Sequence, residues 1–232
     1  MGIENLIERH KYSMLRAGFI SDEFLDFIKK NKEPYDTLIS YYKCAMMEVE
    51  TKFRVLNEQF SLEYDRNPIE SIKTRIKSTD SLIRKIRDKN IPLTMTAIEN
   101  NINDIAGVRI ICSFLDDIYT LADCLINQDD ITLIKIKDYV KNPKDNGYRS
   151  LHLIIDVPIV ISEGTLHLPV EIQLRTIAMD MWASLEHELR YKSDRNFSDS
   201  DAPRLRLCSE AISEIDREMQ DIYQGKEPSY HE

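Results

Sequence analysis

Glycine is scarce in this chain, and the scarcity limits how the protein could hold a nucleotide. Only 6 of the 232 residues are glycine. Their spacing gives neither G-x-G-x-x-G nor G-x-x-x-x-G-K-[ST], the two loops that bind phosphates through backbone N–H groups. The sequence therefore argues against a Rossmann dehydrogenase, a P-loop NTPase and a protein kinase. A bound polyphosphate would need lysine and arginine side chains instead.

The charge balance favours a local basic site over a generally basic surface. Lys and Arg number 31 against 40 Asp and Glu, which gives a formal net charge of −9. An acidic chain is poorly suited to coating nucleic acid or an anionic membrane, so we expect no DNA partner and no membrane partner. Hydrophobic residues make up 42% of the chain, which suits a globular protein with a core.

Several absent signals favour a cytoplasmic protein. No apolar run approaches the roughly 18 residues that span a bilayer, and the start MGIENLIERHKYS lacks the features of a secretory signal. The 4 cysteines include no C-x-x-C pair, which gives no support to a zinc or thioredoxin-type site. We therefore expect reduced cysteines and a cytoplasmic location.

The spacing of apolar residues predicts an α/β chain in which helices precede and follow a mixed sheet. Helical spacing covers residues 3–66 with a break at 31–36 around Pro34, and a third helix is predicted from Pro68 to about residue 90. Strands are predicted at 108–114, 132–140, 150–160 and 165–176, the last two as a hairpin. Further helices are predicted at 115–127, 177–191 and about 203–224.

Residues 73–89 form a strongly basic stretch, with seven Lys or Arg against two Asp. On the predicted helix, Lys77, Ser81 and Lys85 align at steps of four residues. Two interpretations remain open at this point. The stretch is either a solvated helix face or a site for a polyphosphate.

Two carboxylates accompany the predicted strands. Asp104 stands just before the apolar run 108–114, where it is either a turn residue or a ligand for Mg²⁺. Glu171 belongs to a polar row with Gln173 and Arg175 on a strand whose other face is apolar. That row is either the outer face of an exposed strand or an active-site floor, with Glu171 as a metal ligand or general base. Arg109 lies inside an apolar run, so its charge needs a partner or a cleft.

The segment KDNGYRSLH (144–152) combines an aromatic ring with polar side chains. Tyr148 and His152 share one face of an extended chain, and Lys144 and Asn146 lie on the loop that leads to them. Such a group can stack on a base and form hydrogen bonds with its edges. Ordinary loop chemistry with a packed tyrosine is the alternative.

Four segments resemble the synthetase domain of the RelA/SpoT family, in the family's order and spacing. They are RIKSTDSLIRK (75–85), DIAGVRI (104–110), KDYVKNPKDNGYRSLH (137–152) and VEIQLRT…W…EH (170–187). The resemblance covers about residues 66–192 and is greatest to the small alarmone synthetases. It implies a mixed five-stranded sheet of nucleotidyltransferase type flanked by helices, with N-terminal helices at 1–66, the synthetase domain at 67–192 and a C-terminal helix and tail at 193–232.

The resemblance also implies an activity and a role for individual residues. The activity is Mg²⁺-dependent transfer of the β,γ-pyrophosphate of ATP to the 3′-hydroxyl of GDP or GTP, giving AMP and the alarmones ppGpp or pppGpp. Asp104 and Glu171 match the Mg²⁺ ligands, and Glu171 also matches the base for the 3′-hydroxyl. The positions that match ATP-binding residues are Arg75, Lys77, Ser81, Lys85 and Arg109, with Arg75 and Arg109 on either side of adenine. The positions that match guanosine nucleotide-binding residues are Lys144, Asn146, Tyr148, His152 and Gln173, with Tyr148 stacked on guanine.

Some features stay open at the level of sequence. The segment KIKD (135–138) is basic where some relatives are acidic, so the preference among GMP, GDP and GTP is undecided. Members of the family are often homotetramers, which makes the flanking helices candidates for a homo-oligomer interface. The alternatives are the same fold acting on an adenosine nucleotide or a tRNA 3′ end, or a non-catalytic domain that binds nucleotides or RNA. A regulatory RNA partner has no support in the sequence.

Overall fold

Two helices open the part of the chain that the structure describes. The structure is a computed structural model that describes residues 22–64, 66–191, 197–198 and 200–226, so the helix predicted from residue 3 lies partly outside the described residues. Helix α1 spans Asp22–Lys30 and the long helix α2 spans Lys32–Tyr64. The predicted break at 31–36 is confined to Asn31, whose carbonyl accepts from Tyr35 N at 2.9 Å. Pro34 lies in the first turn of α2, where its missing N–H costs no helical hydrogen bond, so it does not interrupt the helix.

The predicted third helix is wrong over its first half. Residues Ile69–Ile76 form strand β1, and helix α3 covers only Thr79–Asp88. Lys73 and Arg75 are therefore strand residues, and Lys77 precedes the helix. The helix begins at Ser78, whose hydroxyl accepts from Ser81 N at 3.3 Å and caps the first turn. A short helix, α4, follows at Met95–Asn101.

The remaining predicted elements are confirmed with small shifts at their ends. Strands β2, β3, β4 and β5 span Ala106–Cys112, Thr132–Asp138, Leu151–Ile161 and Gly164–Thr176. Helices α5, α6 and α7 span Leu115–Ile126, Ile177–Tyr191 and Asp201–Tyr223. The hairpin of β4 and β5 turns at Gly164, which has a φ of 134° that L residues rarely adopt.

The five strands form one mixed sheet in the order β1-β2-β5-β4-β3. Strands β2 and β5 are parallel, and the other neighbours are antiparallel. This arrangement confirms the predicted five-stranded mixed sheet with flanking helices. The register pairs Gly107 with Arg75 on one side and with Glu171 on the other. Two residues further along each strand, and so on the same face, Arg109 pairs with Lys73 on one side and with Gln173 on the other.

The sheet has one apolar face and one polar face. Val108, Val170, Ile172 and Leu174 are almost fully buried, and they join a core with α2 residues such as Phe53. Helix α2 packs across β1, β2, β5 and β4, and α5 packs on β5 and β2. Burying the apolar face in this way leaves the alternate residues of β1, β2, β5 and β4 on the opposite face. That polar face carries most of the predicted site residues.

Helices α6 and α7 complete the described structure on the C-terminal side. They pack on each other, and α6 also contacts β5 and β2. Trp182 Nε1 on α6 donates to the Leu205 carbonyl on α7 at 2.9 Å. None of the described helices combines the length and the apolar composition that crossing a bilayer requires.

Candidate active site

Asp104 lies where the end of β1 meets the segment that leads into β2. Lys77 N donates to the Ile105 carbonyl at 2.8 Å, which holds these two segments together. The Asp104 Oδ2 atom is 2.9 Å from Lys77 Nζ and 2.7 Å from Lys85 Nζ. Burial raises the pKa of Asp104, but hydrogen bonds from Lys85 and Lys77 outweigh it, so the pKa lies below its usual value. Asp104 is therefore ionised at neutral pH.

Ser81 and Lys85 are placed by helix α3, and Lys77 by the loop before it. Because Lys77 and Lys85 converge on one carboxylate, the predicted grouping of the two lysines is found even though Lys77 is not helical. Ser81 lies in the first turn, where its hydroxyl oxygen accepts from Ser78 Oγ at 2.9 Å.

Glu171 lies on the polar face of β5 and accepts two hydrogen bonds. Gln173 Nε2 donates to Glu171 Oε2 at 2.9 Å, and His152 Nδ1 lies 3.3 Å from Glu171 Oε1. Burial raises the pKa of Glu171, but the contacts with His152 and Gln173 outweigh burial, so the pKa lies below its usual value. Burial also lowers the pKa of His152, against the attraction of Glu171, which leaves the imidazole neutral at pH 7.

The two carboxylates face one cleft of about 170 Å³. Four lysines line the same cleft, namely Lys85, Lys89, Lys135 and Lys137. Lys135 and Lys137 come from the segment KIKD on the edge strand β3. The cleft thus combines two ionised carboxylates with an excess of positive charge, which suits a metal-bound polyphosphate.

The two carboxylates fit a divalent cation. Asp104 Oδ1 is buried and has no hydrogen-bond partner within the described part of the chain. Carboxylate oxygens are the ligands that Mg²⁺ prefers, and Mg²⁺ is commonly held by one or two of them together with substrate phosphates. Among the described residues, no group of three or more His, Cys, Asp and Glu side chains could hold a metal. A site built from Asp104 and Glu171 would therefore be completed by the substrate and by water.

Arg75 and Arg109 border a second cavity, of about 80 Å³, on the polar face of β1 and β2. Gly107 lies on β2 opposite Arg75 and two residues before Arg109, and a Cβ atom there would be 3.7 Å from Arg75 Cγ. Because Gly107 has no side chain, this part of the cavity is lined by backbone. Arg109 Nη1 is fixed by Asp180 Oδ1 at 3.1 Å. The predicted pair of arginines thus lines one cavity on the polar face of the sheet.

Tyr148 and His152 are joined by a hydrogen bond of 2.8 Å between Tyr148 Oη and His152 Nε2. Lys144 Nζ lies 4.7 Å from the centre of the Tyr148 ring and 4.7 Å from that of Tyr139. Asn146 Oδ1 accepts from Tyr148 N at 3.1 Å, and its Nδ2 atom lies 3.3 Å from Glu186 Oε1 on α6. The loop and the strand predicted to hold an acceptor base are therefore one connected unit next to Glu171.

Comparison with known proteins decides the family. A family model described as a region found in RelA / SpoT proteins matches residues 74–196. GTP pyrophosphokinase YwaC of Bacillus subtilis is 39% identical over 200 residues, which cover 86% of this chain and 95% of the relative. The chain belongs to the RelA/SpoT family. GTP pyrophosphokinase YjbM of Bacillus subtilis is 40% identical over 181 residues, which cover 78% of this chain and 84% of that relative.

Solved structures of small alarmone synthetases share the architecture of this RelA/SpoT protein. The structure of small alarmone synthetase 2 from Bacillus subtilis is 39% identical, with a TM-score of 0.75 over 83% of this chain and 100% of that chain. That of synthetase 1, bound to its product pppGpp, is 37% identical, with a TM-score of 0.76 over 84% of this chain and 100% of that chain. The same synthetase bound to AMPCPP is 34% identical, with a TM-score of 0.69 over 83% of this chain and 97% of that chain.

The site of this RelA/SpoT domain also includes Tyr139, Arg175 and Asp180, for which the sequence predicted no individual role. Tyr139 packs edge-on against the rings of Tyr148 and His152, with centroid distances of 6.1 and 5.3 Å. Arg175 Nη2 donates to Tyr148 Oη at 2.5 Å and to Gln173 Oε1 at 2.9 Å. Asp180 pairs with Arg175 Nη1 at 3.2 Å. The alternation of β5 had placed Arg175 on the polar face, but nothing in the spacing along the chain connects Tyr139 or Asp180 with it.

Proposed function

We propose that this RelA/SpoT protein is a GTP pyrophosphokinase, which moves the β,γ-pyrophosphate of ATP to the 3′-hydroxyl of GDP or GTP. The products are AMP and the alarmones ppGpp or pppGpp. The observation that carries the proposal is the cleft in which ionised Asp104 and Glu171 face four lysines, next to a cavity between two arginines. The relatives YwaC and YjbM bear the name of this activity.

The ATP side of the proposed site extends along β1, α3 and β2. Arg75 and Arg109 border the cavity in which we place the adenine ring, where each guanidinium can stack on one face of it. Lys77 and Lys85 would bind the phosphates, aided by Ser81 in the first turn of α3. Both lysines already contact Asp104, so their charges lie next to the proposed metal site.

Asp104 and Glu171 are the proposed ligands for Mg²⁺, which neutralises phosphate charge when it is bound. Pyrophosphate transfer depends on such neutralisation and on an in-line arrangement of the attacking and leaving oxygens. Glu171 is also the proposed base for the 3′-hydroxyl of the acceptor, because its oxygens are ionised and held in place. In this proposal His152 and Gln173 orient the base, in addition to contacting the acceptor nucleotide.

The acceptor side is proposed to lie at Tyr148, where a guanine base can stack on the ring. Lys144 lies close to that ring and is available to the phosphates of GDP or GTP. Asn146 is fixed at the same loop and offers amide hydrogen bonds to the base edge. Lys135 and Lys137 line the cleft from β3 and add positive charge on the acceptor side.

We also propose a homo-oligomer, with a homotetramer as the expected assembly, and a cytoplasmic location where ATP and GTP are available. The N-terminal helices within 1–66 and the tail region 193–232 are the proposed extensions to the synthetase domain of 67–192. Light scattering on the purified protein measures the mass in solution. A monomer of 27.2 kDa would contradict the proposed assembly.

The activity is tested with labelled ATP and separate acceptors. The purified protein is incubated with Mg²⁺, ATP labelled in the γ-phosphate, and one of GMP, GDP, GTP, ADP or tRNA. We expect a labelled product with GDP or GTP, formation of AMP in equal amount, and no product when Mg²⁺ is removed with a chelator. Transfer only to ADP or to tRNA would replace the proposed acceptor, and binding of nucleotides without any transfer would exclude the enzyme.

A further inference from the structure

One carboxylate on the polar face of the sheet contacts three cations. Asp180 lies in the first turn of α6, immediately after β5. Its Oδ2 atom accepts from Lys73 Nζ at 2.9 Å, and its Oδ1 atom accepts from Arg109 Nη1 at 3.1 Å and from Arg175 Nη1 at 3.2 Å. Burial raises the pKa of Asp180, but the contacts with these cations outweigh it, so the pKa lies below its usual value. The carboxylate is ionised at neutral pH.

The two arginines lead from Asp180 to different parts of the proposed site. Arg109 borders the cavity between β1 and β2 in which we place adenine. Arg175 donates to Tyr148, the proposed guanine platform, and to Gln173, which in turn donates to Glu171. Asp180 lines neither of the two cavities. Its one side chain therefore contacts an arginine of each proposed nucleotide site.

Asp180 holds one end of each guanidinium group, and Arg175 is held in addition by Tyr148 and Gln173. The side chain of Arg175 is only 4% exposed, and its Nε atom has no hydrogen-bond partner in the described residues. The Nε atom of Arg109 is buried and equally without a partner there. Among residues 22–64, 66–191, 197–198 and 200–226, Asp180 is the one acidic side chain that forms a salt bridge with either of them. A guanidinium side chain has many rotamers, and a fixed carboxylate selects one of them.

The position of Asp180 is itself well defined. Helix α6 starts directly after β5, and Thr176 Oγ1 accepts from Met179 N at 3.1 Å to cap its first turn. The negative charge also lies at the positive end of the helix dipole. The carboxylate is thus tied to the end of the same strand that carries Arg175, Gln173 and Glu171.

We propose that Asp180 is a positioning residue that orients Arg109 for ATP and Arg175 for the acceptor, and so links the two nucleotide sites. The inference rests on the proposed function, because it takes the cavity at Arg109 as the ATP site and the ring of Tyr148 as the acceptor site. It predicts an unusual signature. A residue that contacts neither nucleotide controls the affinity for both.

The test measures Kd by calorimetry for AMPCPP and for GDP, each alone, well below the melting temperature. Asp180→Asn removes the charge with little change in shape. Asp117→Asn is the matched control, since Asp117 is also buried and paired with an arginine, Arg66, away from the site. We expect Asp180→Asn to raise both Kd values at least about tenfold, as for the loss of a charge-assisted hydrogen bond. Asp117→Asn should leave both unchanged, whatever it does to the melting temperature.

Two further variants separate positioning from a merely structural role. Asp180→Glu keeps the charge that buried Arg175 needs, so the fold is retained, but it moves the carboxylate. Positioning predicts that both Kd values rise in this variant also, whereas simple charge compensation predicts wild-type values. In an Arg109→Ala background, Asp180→Asn should raise the Kd for AMPCPP little further. It should raise the Kd for GDP by the same factor as it does in the wild-type background.

The outcomes distinguish this inference from the proposed function. If the wild-type protein binds neither AMPCPP nor GDP, the proposed function fails. If the wild type binds both and Asp180→Asn and Asp180→Glu bind them equally well, the positioning role is excluded. A rise for only one nucleotide, or equal losses in Asp117→Asn, would also overturn the link between the sites.

Discussion

Glu171 shows how a half-buried carboxylate can be kept ionised by its neighbours. It lies on β5 between the buried residues Val170 and Ile172, and burial by itself favours the neutral acid. His152 and Gln173 both present donors to it, and Arg175 Nη2 in turn donates to Gln173 Oε1. The order of these residues along β5 and β4 therefore keeps Glu171 ionised, which is the form that the proposed base requires.

Glu171→Gln tests whether the charge of this residue is needed for turnover. Glutamine keeps the shape but has neither the negative charge nor the basicity, so we expect kcat to fall at least about 100-fold, as for the loss of a general base. Glu163→Gln is the control, because Glu163 is exposed at the turn between β4 and β5. Steady-state rates with ATP and GDP give the answer. Near-normal turnover in Glu171→Gln would exclude the assigned role.

Gly107→Val tests the cavity between Arg75 and Arg109. A Cβ atom at Gly107 meets its nearest neighbours only at 3.7 Å or more, and β-branched residues suit strands, so the fold should tolerate the change. The added methyl groups would fill the floor of the cavity. Overpacking costs about 1–3 kcal/mol, so we expect the KM for ATP to rise roughly 5- to 150-fold.

The acceptor provides the internal control for this variant. The KM for GDP should stay close to wild type, because Tyr148 lies in the loop between β3 and β4 and not on β1 or β2. Gly107→Ala should have a smaller effect on the KM for ATP than Gly107→Val. If Gly107→Val impairs GDP and leaves ATP unaffected, the two nucleotide sites have been assigned the wrong way round.

Single residues could be proposed from the sequence where a local pattern marked them. Glu171 and Gln173 stand out because they alternate with buried residues, and Asp104 because it precedes an apolar strand. Asp180 could not be found in this way. It looks like an ordinary acidic residue at a helix start, and its role depends on Lys73 and Arg109, which are distant in the chain but near in the sheet. The roles proposed for all these residues remain predictions.

At the level of elements, β1 shows why apolar spacing alone predicts a helix where the structure has a strand. Ile72 and Ile76 fit a helical stripe with Ile83 and Ile86, but they also fit the alternation of a strand. Pairing with β2 decides between the two, since residues 71–76 are matched one to one with 106–111. This long-range pairing outweighs a local pattern that fits both structures. The strands β2 to β5 and the helices α5 to α7 had no such ambiguity and were confirmed.

Helix α7 offers a test of stability at the level of an element. Thr176 Oγ1, at the junction of β5 and α6, donates to Asp216 Oδ2 on α7 at 2.6 Å. Burial raises the pKa of Asp216, although Thr176 and nearby Arg149 act to lower it. The folded state therefore binds this proton more tightly than the unfolded chain does. Ionised Asp216 costs stability above its folded pKa, and that cost disappears below the unfolded value of about 4.

Asp216→Asn should therefore raise the melting temperature at pH 7 to 8, because the amide keeps an acceptor for Thr176 without the buried charge. The gain should shrink as the pH falls and disappear below about pH 4, where the wild-type carboxyl is mostly protonated in both states. Melting curves across this range provide the measurement. Asp221→Asn, at a partly exposed position on the same helix, should show no such trend. A lower melting temperature at pH 7 would mean that the charge is needed for Arg149.

For the whole molecule, the distribution of charge matters more than its sum. The chain carries a net charge of −9, yet the polar face of its sheet is basic. Lysines and arginines from β1, α3, β2, β3 and β5 converge there on three acidic residues, Asp104, Glu171 and Asp180. Nucleotide polyphosphates would therefore meet a local field opposite in sign to that of the protein as a whole.

The effect of ionic strength on KM shows whether the basic face or the net negative charge of the protein governs nucleotide binding, because the two predict changes of opposite sign. Salt screens exposed charges over about 10 Å at 0.1 M and about 3 Å at 1 M. If the basic face governs binding, raising NaCl from about 50 mM to about 500 mM weakens the attraction and raises the KM for both ATP and GTP. If the net charge governs it, the same change relieves repulsion and lowers both constants. We expect the first result. Melting curves at each salt concentration check that the fold is intact, and Lys135→Ala should reduce the salt dependence for GTP more than Lys43→Ala, on the exposed side of α2.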